Sequence, residues 1–70
     1  MNTITINNID THPSFYYEEN GQLVIYYDTK PDIDFKHITS VIVNGEDKSY
    51  YNYLFKEFDC TDLIIIILSA

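Results

Sequence analysis

Leu63-Ile64-Ile65-Ile66-Ile67-Leu68 is the stretch on which the reading of this 70-residue chain turns. Every position is apolar, so a strand built from it has no polar face. The run is also far short of the roughly 20 residues that a membrane-spanning helix needs. It is expected as an interior strand of a sheet, with material packed on both faces.

Immediately upstream, Tyr51, Leu54, Phe55 and Phe58 recur at i, i+3, i+4 and i+7, with Asn52, Lys56, Glu57 and Asp59 outside that stripe. This spacing predicts a helix over residues 49–58, capped by Asp47 or Ser49. A helix there permits a right-handed crossover into the 63–68 strand. The competing reading makes Asn44-Gly45 a hairpin turn and lets Tyr51, Tyr53 and Phe55 alternate along a strand, as aromatic residues favour.

Further back, residues 38–43 read as a strand ended by Asn44, Gly45, Glu46 and Asp47. Residues 29–36 read as a loop or an irregular edge strand, because Pro31 cannot donate to a central ladder. Two β-prone runs, residues 14–17 and 23–28, flank Asn20-Gly21, and Asn-Gly suits a type I′ turn in which both central residues have positive φ. That turn sets the register. Glu19 faces Gln22, Tyr17 faces Val24 and Phe15 faces Tyr26 on one side; Glu18 faces Leu23 and Tyr16 faces Ile25 on the other. Both sides are rich in apolar groups, so one is expected in the core and the other is expected to leave tyrosines near solvent. Thr3 to Ile6 suggest a short first strand, with Asn7, Asn8 and Asp10 as breakers. The expectation is a single domain over residues 1–70 of α+β class. It would be a small, mostly antiparallel sheet of four to five strands in the order β-β-β-β-α-β, packed with one short helix; the alternative is all-β.

Eleven acidic residues against four lysines and no arginine give a formal net charge of -7. That balance disfavours nucleic acid and anionic membranes as direct partners and favours a protein with a basic surface or nucleic-acid-binding cleft. Cys60 is the single cysteine, so no intrachain disulfide forms and a cytoplasmic setting is expected. Residues 1–10 lack the basic and apolar regions of a signal peptide.

Little points to chemistry. Asp59 and Asp62 flank Cys60 and oppose a thiolate, which makes it a small, partly buried helix-terminal residue in this reading. His12 and His37 stand in no ligand spacing. Asp32 and Asp34 lack the downstream pattern of a calcium loop, and Gly21 and Gly45 are isolated turn residues. No catalytic residue, metal or cofactor is expected.

The candidate binding residues are therefore the carboxylates Glu18, Glu19, Asp28, Asp32, Asp34, Glu46 and Asp47 and the tyrosines Tyr16, Tyr17, Tyr26 and Tyr27. On an extended segment Asp32 and Asp34 would lie about 6.6 Å apart, on the scale of successive phosphates. Tyrosine offers large contact area with few rotors. Together these features lead to the expectation of a stoichiometric inhibitor of a nucleic-acid-binding host protein, acting by acidic mimicry. The bias towards Ile, Asn, Tyr and Lys suits a phage-encoded anti-defence protein of anti-CRISPR kind. The alternatives are an immunity protein or antitoxin with one cognate toxin, and a small homodimeric assembly subunit.

Overall fold

Three Asn-initiated turns organise the chain. Asn7-Asn8 (φ 53° and 66°), Asn20-Gly21 (53° and 74°) and Asn44-Gly45 (49° and 87°) each place two consecutive residues in the left-handed region. Asparagine and glycine tolerate that region, and its twist matches that of the flanking strands. Each turn therefore closes a two-residue hairpin: β1 (Ile4–Ile6) with β2 (Ile9–Thr11), β3 (Phe15–Glu19) with β4 (Gln22–Tyr27), and β5 (Val41–Val43) with β6 (Glu46–Asp47). A fourth hairpin joins β7 (Leu54–Asp59) to β8 (Ile64–Ser69), its connection closed by the Cys60 N–H donating to the Leu63 carbonyl at 2.8 Å. The computed structural model describes residues 3–52 and 54–70.

Successive hairpins alternate between two antiparallel sheets, ordered β2-β1-β5-β6 and β3-β4-β8-β7. One core lies between them. Ile4, Ile6, Val41 and Val43 come from the first sheet, and Leu23, Ile25, Tyr27, Ile66 and Leu68 from the second. Ile33 and Phe35 of the 29–40 segment and Tyr51 of a 3₁₀ turn (Ser49–Asn52) complete it. Phe35 stacks on Phe55 of β7, with ring centroids 5.6 Å apart and planes 6° apart. The two layers are tied by a buried polar contact. Tyr27 Oη donates to Thr11 Oγ1 (2.8 Å), which itself donates to the Ile4 carbonyl (2.6 Å). Two ion pairs hold the edge strands of the second sheet: Lys48 with Glu18 on β3 (3.6 Å) and Lys30 with Glu57 on β7 (2.7 Å).

The β3–β4 register is the one expected from the Asn20-Gly21 turn, pair for pair. Several other expectations are corrected. The chain is mostly antiparallel sheet, so the all-β alternative replaces α+β, and eight strands among the described residues replace the order β-β-β-β-α-β. The helix expected over 49–58 is replaced by a 3₁₀ turn at Ser49–Asn52 and strand β7 at Leu54–Asp59. After the short 3₁₀ turn, capped by Asp47 Oδ1 accepting from the Ser49 N–H at 2.9 Å, the chain is extended, with Leu54, Lys56 and Phe58 alternating with Phe55 and Glu57. The strand wins because a helix here would leave one edge of β8 unpaired. Instead β7 pairs with all six residues of β8. No crossover is needed, since β7 and β8 run antiparallel. Tyr53 of the competing strand reading lies outside the described residues.

The first strand is one arm of a hairpin, because Asn7 and Asn8 turn the chain instead of ending the sheet. The strand expected over 38–43 begins only at Val41. Residues 29–40 form no strand, with buried Ile33 and Phe35 alternating with exposed Asp32 and Asp34. Finally, β8 is interior to its sheet, as its apolarity requires, but only one of its faces is covered.

Candidate docking face

Strand alternation sorts the β3-β4-β8-β7 sheet into two faces. Leu23, Ile25, Tyr27, Ile66 and Leu68 point into the core. On the opposite face the registers line up three rows: Phe15, Tyr26, Ile65 and Phe58; Tyr17, Val24, Ile67 and Lys56; and Glu19, Gln22, Ser69 and Leu54. Eight of these twelve positions are aromatic or aliphatic, whereas a sheet with one wet face normally carries polar residues there. Phe15 and Leu54 are each 55% exposed, Phe58 50% and Tyr17 36%. Single exposed apolar residues are ordinary; here the exposed ones lie on the two edge strands and flank a centre of buried Val24 and half-buried Tyr26, Ile65 and Ile67, which together make one apolar face of the kind that marks an interaction surface.

The face has an aromatic corner. Phe15, Tyr17 and Tyr26 are in mutual contact, with ring centroids 6.0, 5.7 and 6.3 Å apart and planes tilted by 33° to 56°. Hydrogen bonding to Tyr26, with help from burial and the nearby Glu19 charge, holds the Tyr17 hydroxyl above its ordinary pKa. Glu19 lies on the same face beside the Asn20-Gly21 turn, and Asp28 follows directly after β4.

The residues singled out from sequence are divided by the fold. Tyr17, Tyr26 and Glu19 come together on the outer face. Tyr16 lies on the core side, half-buried, its hydroxyl accepting from Asn44 Nδ2 at 2.6 Å. Tyr27 is 2% exposed, so a core role replaces its expected place in a binding surface; burial raises its pKa. Glu18 and Glu46 share Lys48, each 3.6 Å from its Nζ. The Ser49 hydroxyl and N–H hold the Asp47 carboxyl below its usual range, and His37 Nδ1 at 2.7 Å, with the Lys36 N–H, does the same for Asp34. Asp32 and Asp34 belong to a loop, so no strand spaces them as a phosphate-like ladder.

Phe15, Leu54, Phe58, Ile65 and Ile67 were missing from the sequence-derived set. The signal for Ile65 and Ile67 is the apolarity of both faces of 63–68, which by itself predicts cover on both; Leu54 and Phe58 fit the helical stripe expected over 49–58, and Phe15 lies on a hairpin apolar on both sides.

The described residues enclose no pocket and bring no three metal-ligating side chains together. Cys60 is exposed in the β7–β8 connection, not a partly buried helix end. No described helix is long and apolar enough to cross a membrane. In comparisons with known proteins, no family model, no curated protein and no solved structure matches the chain.

Proposed function

We propose that the chain is a non-catalytic binding protein that docks on a basic protein partner through the outer face of the β3-β4-β8-β7 sheet. The observation that carries this is the uncovered apolar face on a chain of net charge -7. Four strands at about 4.8 Å spacing and six residues at about 3.3 Å rise make a face of about 19 by 20 Å, roughly 400 Å². A standard interface takes about 800 Å² from each partner. Two copies meeting face to face would bury about half of that while bringing two -7 chains together. A basic partner suits the site better: it covers the apolar rows, and its footprint extends onto Glu19, Asp28 and the neighbouring carboxylates. Apolar contact then supplies affinity, and charge supplies steering and selectivity.

The partner class that fits is a nucleic-acid-binding host protein. The biological reading is stoichiometric inhibition in a cytoplasmic, phage-encoded anti-defence setting. This reading rests on the apolar face with its acidic surround, since the Asp32/Asp34 ladder is not available to it.

The test is displacement of labelled DNA or guide RNA from a panel of basic bacterial nucleases and CRISPR effectors. The wild-type chain is expected to release nucleic acid from one of them, with potency falling as salt rises from 50 to 500 mM. Phe58→Glu, which places a charge on the exposed face, is expected to lose at least tenfold in potency while keeping its fold. The reading is overturned if nothing in the panel is displaced, or if Phe58→Glu displaces as well as wild type.

A further inference from the structure

We propose that the aromatic corner of Phe15, Tyr17 and Tyr26 seats one arginine side chain of the partner, with Glu19 as its counter-ion. The inference rests on the docking reading above and names the chemistry that this corner selects.

Phe15 and Tyr17 are successive outward residues of edge strand β3, and Tyr26 stands opposite Phe15 on β4. The three rings form one patch, with centroids 5.7 to 6.3 Å apart, at the exposed margin of the sheet. Glu19 is the next outward residue after Tyr17, so a carboxylate borders the aromatic patch. A guanidinium is planar and weakly hydrated; it can stack on a ring face while its edge donors reach a neighbouring carboxylate. A lysine ammonium is compact and strongly hydrated, and gains less at an open site.

Among the described residues the lysines are engaged or placed elsewhere, Lys36 near Glu57 of the far edge strand. The chain has no arginine. Lys30 is paired with Glu57, and Lys48 lies between Glu18 and Glu46. Lys56 shares a row with Tyr17 but stands on the opposite edge strand, beyond Val24 and Ile67. Cation recognition at this corner is therefore left to another molecule, and the net charge of -7 favours a positively charged one.

The experiment is an NMR titration of the intact protein at low salt with three probes: tetra-arginine, tetra-lysine and tetra-citrulline peptides. Tetra-arginine is expected to move the ring resonances of Phe15, Tyr17 and Tyr26, and its own Hδ protons are expected to shift upfield through ring currents. Tetra-lysine should bind more weakly, and neutral tetra-citrulline should leave the rings unmoved. Tyr17→Leu and Phe15→Leu should each weaken the tetra-arginine response by about two- to fivefold. Glu19→Gln, which leaves all three rings in place, should weaken it as well. Unchanged Ile66 and Tyr27 resonances show that a variant has kept its core. Equal binding of the arginine and lysine peptides, movement confined to carboxylates away from the corner, or wild-type binding by the variants would overturn the proposal. The two readings can fail separately. Nuclease displacement abolished by Phe58→Glu, with no arginine response at the rings, removes the arginine seat alone; an arginine response without any displacement removes the inhibitor reading alone.

Discussion

Asn7 and Asn8 look alike in the sequence and do different work. Both have positive φ in the β1–β2 turn. Asn7 also reaches across the molecule: its Oδ1 accepts from the Thr39 N–H at 2.7 Å and the Thr39 hydroxyl at 3.0 Å, and its Nδ2 donates to the His37 carbonyl at 3.0 Å. The side chain thus fastens the long 29–40 segment to the first hairpin, while Asn8 is exposed at the tip. Asn7→Gly preserves the backbone conformation and removes these contacts, so it should lower unfolding free energy by about 1–3 kcal/mol. Asn8→Gly creates the favoured Asn-Gly turn and should be neutral or slightly stabilising. Urea unfolding of the two variants checks this, and equal losses would contradict the division of roles. The Asn20-Gly21 hairpin is legible because its chemistry is local, whereas the Asn44-Gly45 hairpin, which the structure forms, is only the competing reading of its stretch. Asn7-Asn8 passed for a strand end because its second role depends on residues about 30 positions away.

β7 and β8 show what an element's own pattern can and cannot specify. Tyr51, Leu54, Phe55 and Phe58 fit one helical face, but Leu54 and Phe58 also lie on one side of a strand and Phe55 on the other. Eight residues are too few for periodicity alone to choose, and pairing with the free edge of β8 decides. The apolar run of β8 was correctly read as an interior strand, because such a sequence offers no polar face. Its neighbouring positions Ile66 and Ile67 now separate two roles. Ile66 is 0% exposed in the core, and Ile67 is half-buried on the outer face. Ile66→Thr loses buried apolar contact and places a hydroxyl in the core, which should cost about 2–4 kcal/mol. Ile67→Thr should cost about 1 kcal/mol or less and weaken nuclease displacement instead. Thermal unfolding and the displacement assay together check both halves. If Ile67→Thr destabilises as strongly as Ile66→Thr, the outer face belongs to the folding core and not to docking.

For the molecule as a whole, acid stability follows from how the carboxylates are engaged. Lys30 holds Glu57 below its ordinary pKa, as Ser49 does for Asp47 and His37 for Asp34. A carboxyl with a depressed folded-state pKa contributes its full stability above its unfolded value, about 4, and loses it as pH falls through the folded value. The urea midpoint should therefore vary little through these groups between pH 6 and 8 and fall below about pH 4. Lys30→Gln should make that acid limb shallower by returning Glu57 towards its ordinary value. A midpoint that rises on acidification to pH 3 would contradict this account.

By itself the sequence determined the β3–β4 hairpin and its register, the interior placement of 63–68 and the acidity of the surface. These depend on turn residues within a few positions of one another, on the lack of a polar face in one run, and on composition. Only the tertiary structure decided the strand conformation of Leu54–Asp59, the burial of Tyr27 and the side of the second sheet that is left open. Those outcomes depend on which hydrogen-bonding edges and apolar faces the other hairpins have already used. The first sheet covers one side of the second, and the described chain offers no further layer for the other.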